Sequence, residues 1–189
     1  MKNIAIFASG NGSNAEEIIR YFEKRSDGHV RLVLTNNQEA KVLERAKRLG
    51  VETVTFSRNQ FYSTIEILEI LNQQKIDLIV LAGFLWLIPG YLLQNFPKRI
   101  INIHPALLPK YGGKGMYGAK VHESVIKSGD AESGITIHYV NEFYDDGQII
   151  FQARCPVEPS ETVDSLANKI HELEHKYFPV LVDQVLATL

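Results

Sequence analysis

The residues best suited to chemistry in this 189-residue chain are Asn102 and His104, in the run Ile101-Asn102-Ile103-His104-Pro105. An asparagine amide supplies N–H donors, and an imidazole takes or gives a proton near neutral pH. Side chains two apart on a strand share one face. The pair can therefore bring a donor and a proton carrier to one reacting atom, which suits the oxyanion of an acyl transfer. The same two side chains could instead do no more than satisfy backbone groups where a strand ends. Asn-x-His alone leaves both readings open.

A second candidate is the loop Ser9-Gly10-Asn11-Gly12-Ser13-Asn14. Glycines let a backbone approach a ligand closely, and a helix beginning at the end of the loop would offer free N–H groups to an anion. We expect Gly12, Ser13, Asn14, Ala15 and Glu16 to hold a phosphate, with Ser13 and Glu16 spaced as a capping box. Gly10-x-Gly12-x-x-Ala15 also fits a dinucleotide fingerprint, but the following strand ends Thr35-Asn36-Asn37 without the ribose-binding acid. A single phosphate is the better reading; the plainer one is a capped turn.

These residues need a scaffold. Ile4–Ala8 is a short apolar run of the kind buried on both faces of a parallel sheet. Ala15, Ile18, Ile19 and Phe22 follow with helical spacing. The alternation continues: strand at Val30–Thr35, helix at Ala40–Leu49 stopped by Gly50, strand at Val51–Phe56, helix at Phe61–Gln74, strands at Leu78–Ala82 and Arg99–Ile103. Residues 104–118 read as a long loop. Two strands, Ile135–Val140 and Ile149–Ala153, flank the polar turn 141–148, and a long helix begins near Glu161. The pattern predicts an α/β fold with a mainly parallel twisted sheet, helices on both faces and antiparallel strands near the C-terminal end. One domain spanning 1–189 is the simplest division, with a phosphate-binding half at about 1–100 and a catalytic half at about 101–189. Open sheets of this type place ligands at the carboxyl ends of their strands, where both candidate segments fall.

Composition narrows the partners. The chain is 45% apolar and 22% charged, with a net charge of −2 and no run of Lys or Arg longer than two. Small molecules are expected as ligands rather than nucleic acid. Leu78–Pro97 lacks charge over a membrane-spanning length, yet Gly83, Pro89, Gly90 and Gln94-Asn95 interrupt it, so a strand, a loop and a short helix are expected. The single cysteine, Cys155, and a start without signal-peptide character point to the cytoplasm. No spacing of Cys and His suggests zinc, and no metal is expected.

The segments Ser9–Asn14, Leu81-Ala82-Gly83-Phe84, Ile101–Pro109, Gly134–His138 and Asp145-Asp146-Gly147, in that order, resemble the folate-dependent formyltransferases, in particular the member acting on a phosphoribosyl glycinamide. The resemblance covers the chain from end to end. It implies a Rossmann-like formyltransferase fold and transfer of a formyl group from 10-formyltetrahydrofolate to the amine of 5-phosphoribosylglycinamide, in purine biosynthesis. It implies that Asn102 and His104 hold and protonate the oxyanion, that Asp145 keeps His104 charged and oriented, and that Thr136 supports them. It implies a folate wall from Leu85, Trp86, Leu87 and Ile88, with Asn102, Asn141, Glu142, Phe143 and Tyr144 around the pterin. Glu174 falls on the inward stripe of the last helix, where a carboxylate needs a partner. The resemblance supplies the substrate amine; an internal Lys or Arg would be the alternative. A monomer or weak homodimer is expected. His171 is a candidate near the phosphate. Four features depart from the family: Trp86 where Arg is common, a short 56–64 segment without an assigned basic residue for the donor's tail, a long 112–120 loop, and Gln148 where Pro is common. The competing readings are a formyltetrahydrofolate deformylase or another formyltransferase, and, outside catalysis, a phosphate- or nucleotide-binding module.

Overall fold

The computed structural model describes all of residues 1–189. Its strands are β1 (Lys2–Phe7), β2 (Gly28–Thr35), β3 (Glu52–Thr55), β4 (Leu78–Leu81), β5 (Ile100–His104), β6 (Glu132–Tyr139) and β7 (Ile149–Pro156). They form one sheet in the order β3-β2-β1-β4-β5-β6-β7. Pairing is parallel from β3 through β5 and antiparallel at β5–β6 and β6–β7. The helices are α1 (Ser13–Glu23), α2 (Val42–Arg48), α3 (Arg58–Tyr62), α4 (Glu66–Gln73), α5 (Gly90–Asn95), α6 (Ala119–Ser128) and α7 (Val163–Ala187).

The short apolar runs are strands because both of their faces are covered. On β1, Ile4 and Ile6 belong to a core layer with α1 and α7, while Ala5 and Phe7 belong to a second layer with α3, α4 and α5. The expected helix over 61–74 is two helices, broken at Ser63-Thr64. Ser57 caps the first of them with Gln60 in a reciprocal box, so it starts three residues earlier than the apolar pattern does. Helix α6 was not expected: Val121, His122 and Val125 are its only buried residues, too thin a stripe to read against a glycine-rich approach. No helix is long and apolar enough to cross a membrane.

Two aspects of the topology position the site. The order of strands reverses between β1 and β4, so the loops following these strands flank a crevice. Strand β5 lies beside β4 and carries Asn102 and His104. On its other side β6 sets His138 opposite Asn102 and Thr136 opposite His104. The turn after β6 is closed by Tyr139 N–H donating to Gln148 O at 2.9 Å. Within this turn Asp145 takes φ 54°, a left-handed conformation that Asp tolerates better than most residues.

Candidate active site

Asn102, His104 and Asp145 converge. Asn102 Nδ2 donates to Asp145 Oδ1 at 3.3 Å and to His138 Nε2 at 3.0 Å. His138 Nδ1–H is spent on Tyr139 O at 2.8 Å, which leaves Nε2 as the acceptor for the amide. His104 Nε2–H donates to Tyr111 O at 2.7 Å, and its Nδ1 lies 3.4 Å from Asp145 Oδ2. Gly113 N–H donates to the same Asp145 oxygen at 3.0 Å. Burial raises Asp145, but the groups facing it, the Gly113 N–H and His104 among them, outweigh it and hold the carboxyl below its usual range.

His104 departs from the expectation of an imidazole held charged. Only 3% of it is exposed. Burial pushes it below the ordinary imidazole value, and the opposing pull of Asp145 and the Tyr111 carbonyl does not recover the difference. Asp145 thus lies where a proton arriving on Nδ1 would be stabilised, while the resting ring is biased toward neutral. Thr136 supports from behind: its hydroxyl donates to Ala106 O at 2.7 Å and accepts from Leu108 N–H at 3.0 Å and Gln152 Nε2 at 2.9 Å. It fixes the chain leaving His104 and does not face the cleft.

Two clefts meet at this cluster. The larger, about 580 Å³, runs from Ser9–Asn14 past Asn102 and His104 to His171 and Glu174, with residues 113–118 on one wall. The smaller, about 50 Å³, is lined by Leu81, Phe84, Trp86, Leu87, Ile88, Val140, Phe143 and Tyr144. Asn102 and Asp145 belong to both.

The glycine loop ends in the left-handed Gly12 (φ 75°), and α1 starts at Ser13. The N–H groups of Ser13 and Asn14 have no backbone acceptor, whereas Glu16 N–H is committed to Gly12 O at 2.9 Å. Ala15 is buried in the core and Glu16 lies outside the cleft, so of the five expected residues Gly12, Ser13 and Asn14 line it. The expected capping box is absent: Gly12 holds the cap position, so Ser13 is the first helical residue, and the Glu16 carboxylate is taken by Arg20, Arg45 and Arg48. Hydrogen bonds from Arg20 and then Arg45 lower its pKa from 4.5 to about 2. A carboxylate depressed in the folded state contributes stability that is complete above its unfolded pKa and vanishes as pH falls through the folded one. The advantage of the native chain over Glu16→Gln in urea unfolding is therefore expected to shrink between pH 4.5 and about 2. A constant difference across that window would remove the cluster from the stability of the fold.

Glu174 is 6% exposed and its Oε2 accepts from Asn14 Nδ2 at 2.9 Å. No Lys or Arg bridges to it, so the internal ion pair is not formed. Burial raises its pKa, opposed by Asn14 and His171. His171 and His122 both line the larger cleft.

Of the residues expected around a folate, Trp86, Leu87, Ile88, Phe143 and Tyr144 line the smaller cleft, while Leu85 faces the larger one. Asn141 and Glu142 line neither. Asn141 instead braces the turn, accepting from Phe143 N–H at 3.0 Å and donating to Asp146 at 3.3 Å. Trp86 packs against Phe56, Phe61, Tyr62 and Phe84. Arg58, in the short 56–64 segment, stands over the rings of Tyr62 at 5.0 Å and Trp86 at 5.7 Å, which puts a cation at this rim. His138, the last residue of the segment Gly134–His138, receives no role from the sequence. Only the register placing it across from Asn102 shows its contact.

Comparison with known proteins shows the family. Residues 2–182 match the family model described as "Formyl transferase". The chain is 42% identical, over 97% of its length, to the "Phosphoribosylglycinamide formyltransferase, chloroplastic" of Arabidopsis thaliana, and 37% identical, over 98%, to the Bacillus subtilis protein named phosphoribosylglycinamide formyltransferase. It spans 95% of the Bacillus protein but less than two thirds of the plant relatives, 65% of the Arabidopsis protein and 60% of that from Vigna unguiculata. The crystal structure of phosphoribosylglycinamide formyltransferase from Bacillus halodurans superposes with a TM-score of 0.88 at 35% identity, covering 98% of this chain and 95% of that one. With the sheet order, the paired clefts and the Asn102–His104–Asp145 cluster in place, the chain belongs to the formyl transferase family.

Proposed function

We propose that this protein transfers a formyl group to 5-phosphoribosylglycinamide, the activity in the names of its relatives, and that it takes the group from 10-formyltetrahydrofolate and places it on the substrate's amine. The observation that carries the reading is the position of Asn102 and Asp145 on the border of two unlike clefts. One cleft has free helix N–H groups for a phosphate. The other is a narrow apolar recess suited to a flat heteroaromatic ring. Two reactants held on either side of one border react as neighbours, which removes much of the entropic barrier to their meeting.

The side chains then have distinct tasks. Gly12, Ser13 and Asn14 receive the phosphate, with His171 nearby, and Glu174 faces the amine. The neutral amine attacks the formyl carbon, and Asn102 Nδ2 donates to the oxygen as it becomes negative. His104, neutral at rest, takes the proton from the attacking nitrogen, and the imidazolium so formed lies beside Asp145. That proton passes to N10 of the donor as the C–N10 bond breaks, so the proton count closes without a covalent enzyme intermediate. Arg58 and Trp86 meet the acidic tail and ring system of the donor. Both partners are small molecules, and we place the reaction in the cytoplasm.

Formation of N-formyl product from the folate donor and phosphoribosylglycinamide tests the reading, with a parallel reaction lacking the amine. Donor consumption that is the same with and without amine, with formate and no N-formyl product, would instead mark a deformylase. Binding of phosphate with no turnover in either reaction would mark a binding module. Glu174→Gln is expected to lower kcat/KM for the amine substrate about tenfold or more, the usual loss for a hydrogen bond to a charged group. Unchanged kcat/KM would free Glu174 from that role.

A further inference from the structure

The phosphate loop is braced from outside the cleft by α2. Val42 N–H donates to Gly10 O at 3.1 Å, and a Cβ on Gly12 would lie 2.4 Å from Val42 Cγ2. Arg45, on the same helix, reaches the loop directly. Its Nε donates to Asn11 O at 2.8 Å and its Nη2 to Asn11 Oδ1 at 3.0 Å, while Nη1 bonds to the Glu16 carboxylate. One guanidinium therefore ties the residue before Gly12 to the first turn of α1. The segment between those two anchors carries the free N–H groups of Ser13 and Asn14. Glu16 also takes Arg20 and Arg48, so three cations share one anion beside the loop. None of the three lines the cleft, where Lys114 is the only Lys or Arg.

We infer that Arg45 is a positioning residue for the phosphate of the substrate. It holds Asn11 and Glu16 at a fixed separation, so the loop meets the phosphate already in its binding shape, and ordering costs are removed in advance. A lysine could supply charge there but not a planar fork that engages two acceptors on Asn11 and a third on Glu16. The inference rests on the phosphate-binding part of the proposed function.

The test measures kcat and KM for wild type, Arg45→Ala and Arg45→Lys with phosphoribosylglycinamide and with the corresponding riboside lacking phosphate. Ribose 5-phosphate binding is followed by calorimetry in parallel. Arg45→Ala is expected to raise KM for the phosphorylated substrate about tenfold, the loss expected for a charge-assisted contact. It should leave kcat within about twofold, because no transition-state contact is lost. Ribose 5-phosphate should weaken by a similar factor, and kcat/KM for the riboside should match wild type. Arg45→Lys should restore only part of the loss, and it carries the test if the alanine variant does not fold. Unchanged KM and unchanged ribose 5-phosphate affinity in the folded variants would overturn the inference, as would an equal loss with the riboside. If wild type fails to transfer formyl groups, the proposed function fails, and the ribose 5-phosphate measurements alone still decide on Arg45.

Discussion

Asn102→Ala or His104→Ala is expected to slow turnover at least about a hundredfold, the scale of losing one donor to a developing oxyanion. KM for the phosphoribosyl substrate should stay within about threefold of wild type, since an interaction made only in the transition state affects kcat rather than ground-state binding. The geometry gives each variant its own reason. Alanine at 102 removes the only side-chain amide bonded to Asp145 and also orphans His138 Nε2. Alanine at 104 removes the imidazole whose Nδ1 faces Asp145 Oδ2 at 3.4 Å. Steady-state rates with both substrates, checked against donor binding, measure the split. Near-native turnover in both variants would end the assignment of chemistry to this cluster.

Gly147→Ala is expected to be the most damaging single methyl added to the chain. An added Cβ would lie 1.7 Å from Tyr139 O, a contact that no side-chain rotation relieves. That carbonyl accepts the Nδ1–H of His138, which fixes the ring nitrogen that receives the Asn102 amide. Displacing it disturbs a strand closure and the site together. We expect a loss of about 3 kcal/mol, at the upper end of overpacking costs, seen as a fall in Tm of about 6–12 °C. The protein that remains folded should turn over more slowly, because Asp145 lies two residues away. Gly90→Ala, at a position with nothing within 4 Å of an added Cβ, is the control and should leave both properties unchanged. A Gly147→Ala protein with native Tm and native rate would show that the turn yields more freely than its close contacts suggest.

Much of this architecture is legible in the residues, for identifiable reasons. Runs such as Ile4–Ala8 and Leu78–Ala82 are apolar on both faces because helices cover both faces, and that leaves a plain mark. The glycine loop and Asn-x-His are legible because each needs particular residue types at fixed spacing. What escapes is whatever depends on register or on competing partners. Glu16 looks like half of a capping box until Arg20, Arg45 and Arg48, the last two from another helix, take its carboxylate. His138 looks incidental until β6 pairs it with Asn102. Arg58 is unplaced until the split of the expected 61–74 helix brings it over Trp86. The charge state of His104 escapes for a further reason: its neighbours favour the cation, and only the depth of its burial tips the balance the other way.

At rest, both hydrogens of the Asn102 amide are engaged, one by an imidazole at 3.0 Å and the other by a carboxylate at 3.3 Å. A stray water drifting into this corner finds no idle donor and gains little by displacing either contact. An oxygen acquiring a full negative charge competes on different terms and can draw the longer, weaker bond to itself. In the mechanism proposed above, releasing that bond would free Asp145 Oδ1 at the moment a proton is in transit. Under the proposed function, the protein thereby keeps its electrophilic assistance latent, switched on by the reaction rather than left open to solvent.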